Sequence, residues 1–307
     1  MQKPLFRRFS VDEKKFWLEV QGLSHYYAKL GHQLISRDTI YLSHILSYVR
    51  SGEFKGLNNA VLREIGGELD FYPGVPDVFE RLSALVSSSA RFQRHEISVE
   101  HYVISTGLRQ IICGSAVANK LDEIWACEFL ETTAPPGYLE SGDPLPNENP
   151  TLTDIAYSID NTTKTRAVFE INKGVNKYPE ISVNQKMDEE DRRVPFGNMI
   201  YVADGPSDVP VFSIVNRFGG QTLGVYGPDS EEEFRQMADL QEEGRVRGMG
   251  PADYRPGTQT TRWLERAVKK IASRISDRRE QTLRERVGTA PVHIVEDGRG
   301  GDGSSTE

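Results

Sequence analysis

Asp204 and Asp208 stand four residues apart, directly after the apolar run Met199 to Ala203. The run reads as a strand, and Gly205-Pro206-Ser207 forms a turn-like break between the two carboxylates. In open parallel sheets, ligands collect at the carboxyl ends of the strands. Two carboxylates gathered there can hold a hard cation. Such oxygen ligands suit Mg2+, which keeps several waters and is completed by substrate phosphate. The same residues also suit a plain strand-to-helix turn in which Asp208 caps the next helix.

Two other segments carry groups of complementary chemistry. Tyr102 to Gly107 reads as a strand that ends in Ser105, Thr106 and Gly107 just before a helix. The Ser105 hydroxyl, with backbone N–H groups at the helix start, can bind a phosphoryl oxygen; the alternative is a simple N-cap. Lys164, in Asn161 to Thr165, falls in the first turn of another helix. A cation at a helix N-terminus is electrostatically unfavourable, which points to a neighbouring anion, against the alternative of a solvent-facing lysine. Lys173, in Ile171 to Gly174, is the rival for the same role.

The elements that must position these groups fall into two textures. Residues 1–69 read as a small helical unit. Ser10 and Glu13 form a capping-box pattern, and Phe16, Val20, Leu23, Tyr27 and Leu30 follow at helical spacing. Asp38 or Thr39 can cap a second helix that ends at Gly52, and a third spans Leu57 to Ile65. Residues 70–286 then alternate helices with β-rich runs, the pattern of a parallel sheet covered by helices. Helices are expected from Pro76 to Val86, Leu108 to Leu121, Thr163 to Ile171, Ser230 to Glu243 and Thr260 to Arg286, the last so charged that it should be largely solvated. Strands are expected at His101 to Ser105, Ile124 to Leu130, Met199 to Ala203 and Gln221 to Tyr226. Thr132 to Asn149 and Gly174 to Gly197 read as surface loops, and residues 287–307 as a largely disordered tail.

The formal charge of −8 leaves no basic stripe for nucleic acid. No apolar run is long enough for a membrane span, and Cys113 and Cys127 read as buried free thiols. A cytoplasmic protein is expected. Gly298 to Gly303 matches the dinucleotide-binding glycine pattern, but no helix-forming segment follows it, so the match is spurious.

Taken in order, a strand ending in Ser105, a helix opening on Lys164 and a strand ending in Asp204-Gly-Pro-Ser-Asp208 resemble motifs two, three and four of the haloacid-dehalogenase-like (HAD-like) hydrolase superfamily. The resemblance spans about Tyr72 to Asp253, and the run Asp204 to Pro210 is its most specific part. It implies an α/β, Rossmannoid three-layer parallel sheet with a helical cap, and an Mg2+-dependent phosphomonoesterase acting on a small phosphorylated substrate. In that reading Ser105, Thr106 and Gly107 bind the transferring phosphoryl group. Lys164, with Lys173 as the alternative, neutralises its charge, and Asp204 and Asp208 hold Mg2+ directly or through water.

The sequence departs from the family at two places. Ala203 stands where the family usually has glycine. More seriously, the family's first motif, a strand ending in Asp-x-Asp-Gly-Thr, has no counterpart, since no Asp-x-Asp pair occurs before Asp70. That motif supplies the nucleophile and the general acid and base, on the central strand of the sheet. Its absence should leave two unpaired strand edges and an apolar slot. An N-terminally truncated reading of a longer enzyme is the expectation; the alternative is a non-catalytic pseudoenzyme that binds a phospho-ligand or a partner.

Overall fold

The computed structural model of the protein describes residues 3–140, 143 and 148–287. The expected tail beyond Val287 and the glycine run from Gly298 to Gly303 lie outside the described residues. The fold is α/β. It opens with α1 (Lys3–Arg8), α2 (Glu13–Lys29), α3 (Ile40–Ser51) and α4 (Asn59–Gly66), with no strand among them. Apolar spacing explains their packing: Phe16 and Val20 from α2 meet Leu42 and Ile45 from α3 and Leu62 from α4 in one core.

Two expectations for this unit are corrected. Asp12, not Ser10, caps α2, its carboxylate accepting the Lys14 and Lys15 N–H groups at 2.8 and 3.2 Å. An ionised acceptor at a helix start outcompetes a hydroxyl because it also meets the positive end of the helix. The short α1, six residues with Pro4 in its first turn, was below the reach of periodicity. Gly52 does end α3, in the left-handed conformation at φ 94°.

The rest of the chain runs α5 (Asp77–Ser87), α6 (Ala90–Arg94), β1 (Tyr102–Leu108), α7 (Arg109–Cys113), β2 (Glu123–Leu130), β3 (Asp154–Tyr157) and α8 (Asn161–Lys173). It continues with β4 (Ile200–Ala203), α9 (Val209–Arg217), β5 (Gln221–Tyr226), α10 (Glu231–Glu242), β6 (Gly248–Pro251) and α11 (Gln259–Val287). The strands do not make one sheet. They form two three-stranded sheets, β1-β2-β3 and β4-β5-β6. All pairings are parallel except β2 with β3, a strand too short and too polar on its neighbours to be legible beforehand.

The expected helix from Leu108 to Leu121 is reduced to the five residues of α7. β1 runs on through Leu108, and the chain must then pass α4 at very close range. A Cβ at Gly114 would stand 1.8 Å from the Arg63 carbonyl oxygen. Gly66 is in the same contact, with an added Cβ 2.2 Å from the Ile111 oxygen. Backbone cannot yield as a flexible side chain does, so Gly114→Ala should destabilise the protein by about 1–3 kcal/mol. A urea midpoint unchanged by that substitution would show that α4 and α7 separate without penalty.

Helices cover both faces of the second sheet. Ile200 and Val202 of β4 turn toward α5 and α11, while Tyr201 and the preceding Met199 turn toward α8 and α9. The charged α11 keeps its charged face exposed and buries one stripe, formed by Leu264, Val268, Ile271 and Ala272. The two sheets share these helices, since α8 contacts both β1 and α9. Yet the facing strands β1 and β4 are only half-buried along almost their whole length, whereas β2 and β5 are largely buried. Among the described residues, β1 pairs only with β2 and β4 only with β5. Between them lies a cavity of about 1200 Å3.

Candidate functional site

One end of that cavity collects the reactive groups. Asp160 caps α8, accepting the Thr163 N–H at 2.7 Å while the Thr163 hydroxyl accepts the Asp160 N–H at 2.6 Å. This reciprocal cap fixes the next residue, Lys164, which is only 5% exposed. Its Nζ donates to both carboxylate oxygens of Asp208 at 2.9 Å and to Ser207 Oγ at 3.1 Å. Asp208, 4% exposed, also accepts from the Tyr201 hydroxyl at 2.5 Å and from Ser207 Oγ at 3.0 Å. Burial, then the Asp208 charge, pushes the Tyr201 phenol far up, so it stays a donor.

Both ordinary alternatives for these residues are thereby corrected. Lys164 does not face solvent, because Asp208 supplies the anion that its place at a helix start called for. Asp208 precedes α9 but makes no side-chain cap; its oxygens are committed to Lys164, Tyr201 and Ser207. Tyr201 and Ser207 were not assigned roles from sequence. Strand alternation places Tyr201 on the same face as Ala203, which was the available signal.

Asp204 lies at the end of β4 and lines the same cavity. It opens to solvent there, but surrounding protein and then the Asp208 charge raise its carboxyl above the usual range, with Lys164 only partly offsetting them. Ser105, Thr106 and Gly107 line the cavity as well. Ser105 Oγ accepts the Gly107 N–H at 2.9 Å. Amides of a helix start are not offered beside it, a correction that follows from β1 continuing to Leu108. The Thr106 carbonyl accepts the buried Tyr41 hydroxyl, which ties α3 of the helical unit to the site. Lys173 is not brought to this end. Its Nζ donates to the Val183 and Gln185 carbonyls at 2.5 Å and holds the following loop.

At the cavity's other end the loop before β4 is pinned to the start of β1. Arg193 Nη1 donates to Glu100 Oε2 at 2.8 Å, and the Tyr102 hydroxyl donates to the same oxygen at 2.7 Å. The Arg193 guanidinium holds the Glu100 carboxyl below its usual range, and Tyr102 is pushed up to about 12, chiefly by burial. A depressed carboxyl contributes stability above its unfolded value of about 4.3 and loses it as pH falls through the folded value. Glu100→Gln should therefore destabilise by about 1–2 kcal/mol at pH 7, with the difference fading below roughly pH 4. Urea unfolding at the two pH values checks this, and a pH-independent difference would rule out the ionic contribution.

The donor set at the reactive end fits a cation only in part. Among the described residues, no three His, Cys, Asp or Glu side chains cluster to hold a metal ion. The Asp204 carboxyl is raised first by burial and then by the Asp208 charge, and a cation would relieve the second. Because Lys164 and Tyr201 already bind the Asp208 oxygens, Asp204 is the direct ligand available and Asp208 can act through water. Mg2+ needs no more protein than that.

No family model matches the chain, and no solved structure matches it. A protein of Borreliella burgdorferi strain B31, carrying the name "Uncharacterized protein", is 38% identical to it over 267 residues, 86% of this chain and 90% of that protein. The chain belongs to that protein's family. No described helix is long and apolar enough to cross a membrane.

Proposed function

We propose that this end of the cavity is the phosphate and Mg2+ site of a HAD-like phosphomonoesterase that acts on a small phosphorylated substrate. The observation that carries the reading is the junction of Lys164, Ser207 and Asp208, with Asp204 and Ser105 lining the same cavity end. Lys164 is the one amine of the two candidates placed there, and it neutralises phosphate charge as it swings from Asp208. Ser105 and Thr106 donate hydroxyl hydrogens to phosphoryl oxygens. Asp204 directly, and Asp208 through water, hold Mg2+, which polarises the phosphoryl group when bound. Two free thiols suit a reducing compartment such as the cytoplasm.

Neither β1 nor β4 carries an Asp-x-Asp pair, so these residues form a clamp without the family's nucleophile. Residues 1–307 alone should consequently bind phosphate and not turn over a phosphomonoester. The test is calorimetric titration with inorganic phosphate, with and without Mg2+. Saturable, Mg2+-assisted binding is expected, weakened about tenfold by Ser105→Ala through loss of one charge-assisted hydrogen bond. Binding that is absent, or indifferent to both Ser105→Ala and Asp204→Asn, would sink the reading. The second reading, a non-catalytic phospho-ligand module, predicts binding that still depends on Ser105 but is indifferent to Mg2+ and to Asp204→Asn.

A further inference from the structure

Helix α11 carries a row of cations that the chain's formal charge of −8 conceals. Arg262, Arg266, Lys269 and Lys270 are exposed along it at helical spacing. With Glu265 and Ser273 they line a shallow groove of about 420 Å3 that no apolar residue borders. Among the described residues, none of these four side chains makes an ion pair or a hydrogen bond. Arg274 and Arg279 on the same helix differ, since they donate to the Gly197 and His95 carbonyls.

Helix α10 carries the opposite row. Glu232, Asp239 and Glu242 are exposed and unpaired among the described residues, whereas Glu231 and Glu243 beside them already meet Arg235 and Arg245. The two rows agree in length, about 15 Å from Glu232 to Glu242 and about 12 Å from Arg262 to Lys270. They also agree in spacing, since Glu232 and Asp239 stand as far apart in sequence as Arg262 and Lys269 do. That interval is two helical turns, so two helices laid side by side align both pairs in one register. The rows cannot meet within one chain. Leu223 and Val225 of β5 share a core with Leu264 and Val268 of α11, while Gly224 between them lies against Met237 of α10. Neighbouring residues of a strand face opposite sides of the sheet, so α10 and α11 cover opposite sides.

We infer that the α11 row docks the α10 row of a second copy of this chain, head to tail. Charge complementarity names the occupant, because each row is uncompensated at home and matched by the other in sign, length and spacing. Because the two rows lie on opposite sides of the sheet, the contact is heterologous, and copies add in a growing chain instead of closing as a dimer. The net charge of −8 repels copies at long range, so the attraction between the rows orients their encounter. The same net charge repels nucleic acid, and a groove without apolar residues offers nothing to insert into a bilayer. Exposed ion pairs are individually weak and screened by salt, so the contact is transient and salt-dependent.

Sedimentation of the full chain tests this. At about 0.02 M salt the average mass should rise steadily with protein concentration and pass that of a dimer, and at about 0.5 M salt the association should weaken at least about tenfold. Arg266→Ala with Lys269→Ala empties the middle of the basic row, and Glu232→Gln with Asp239→Asn neutralises the acidic one. All four residues are exposed, so both double variants keep the fold and the phosphate site. Where the parent protein associates, each variant alone should stay a monomer. An equimolar mixture of the two should form a dimer and stop there, because each partner brings one intact row. A parent protein that stays monomeric at low salt overturns the inference, as does association that salt leaves unchanged or a variant that still assembles alone. A mixture that stays monomeric, or parent assembly that ends at a dimer, overturns head-to-tail docking. A monomeric parent that binds a DNA duplex or phosphatidylserine vesicles through Arg266 and Lys269 assigns the row to a phosphate polyanion and overturns it as well. None of these readouts uses Ser105, Lys164 or Asp204, so loss of the phosphatase reading would leave them unchanged.

Discussion

Lys164→Ala is expected to lower folding stability by about 3–5 kcal/mol, the usual result of removing one member of a buried ion pair. The pair is almost wholly shielded from solvent, and both Asp208 oxygens lie 2.9 Å from the amine. Without Lys164, the Asp208 carboxylate keeps only Tyr201 and Ser207 as donors, and its charge stays buried. Chemical denaturation of Lys164→Ala, Asp208→Asn and the double variant measures this directly. The double variant should be less destabilised than the sum of the two, because each single change leaves an orphan that the other removes. A loss below about 1 kcal/mol for Lys164→Ala would show that the pair contributes little, as exposed pairs do. This experiment also bears on chemistry, since a lysine already balanced by an aspartate can meet phosphate only by exchanging one anion for another. That exchange is feasible because Ser207 bridges the two groups and can hold the Asp208 carboxylate as the amine leaves.

The groups that meet at this site were legible because each sits where a regular element ends. Asp204 follows a four-residue apolar strand, and Lys164 opens a capped helix, so local pattern alone placed them. The relation between them was not legible. That Asp208 turns back to Lys164 instead of capping α9 depends on a contact across forty-four residues, which no spacing rule reports. Tyr201 escaped notice for a similar reason, as its hydroxyl looks like one more core ring until the strand's face is known. The helix after Ser105 was read too long because apolar content from Ile111 to Leu121 imitates a helical stripe. The close approach of Arg63 to Gly114 is tertiary, and it decides where that helix must stop. The expectation of unpaired edges, by contrast, rests on the resemblance, whose first motif has no counterpart before Asp70, and not on the pattern of runs.

Asp204→Asn should have opposite effects with and without Mg2+. Burial and the Asp208 charge raise the Asp204 carboxyl, so the folded chain binds its proton more tightly than the unfolded chain does. For such a group, stability falls as pH rises from the unfolded value of about 3.9 through the raised folded value, and the penalty is fully present above that folded value. Asparagine carries no such charge, so in metal-free buffer at pH 7 the variant should be more stable than the parent protein, and that pH-dependent fall should flatten. Mg2+ at ten times its dissociation constant should stabilise the parent by roughly 1.4 kcal/mol and leave the variant unchanged. Thermal unfolding over pH 4–8, with and without Mg2+, separates the two effects. If Mg2+ stabilises parent and variant equally, the cation binds elsewhere. Asp204 would then be a carboxylate raised by burial and the Asp208 charge with no cation to offset them.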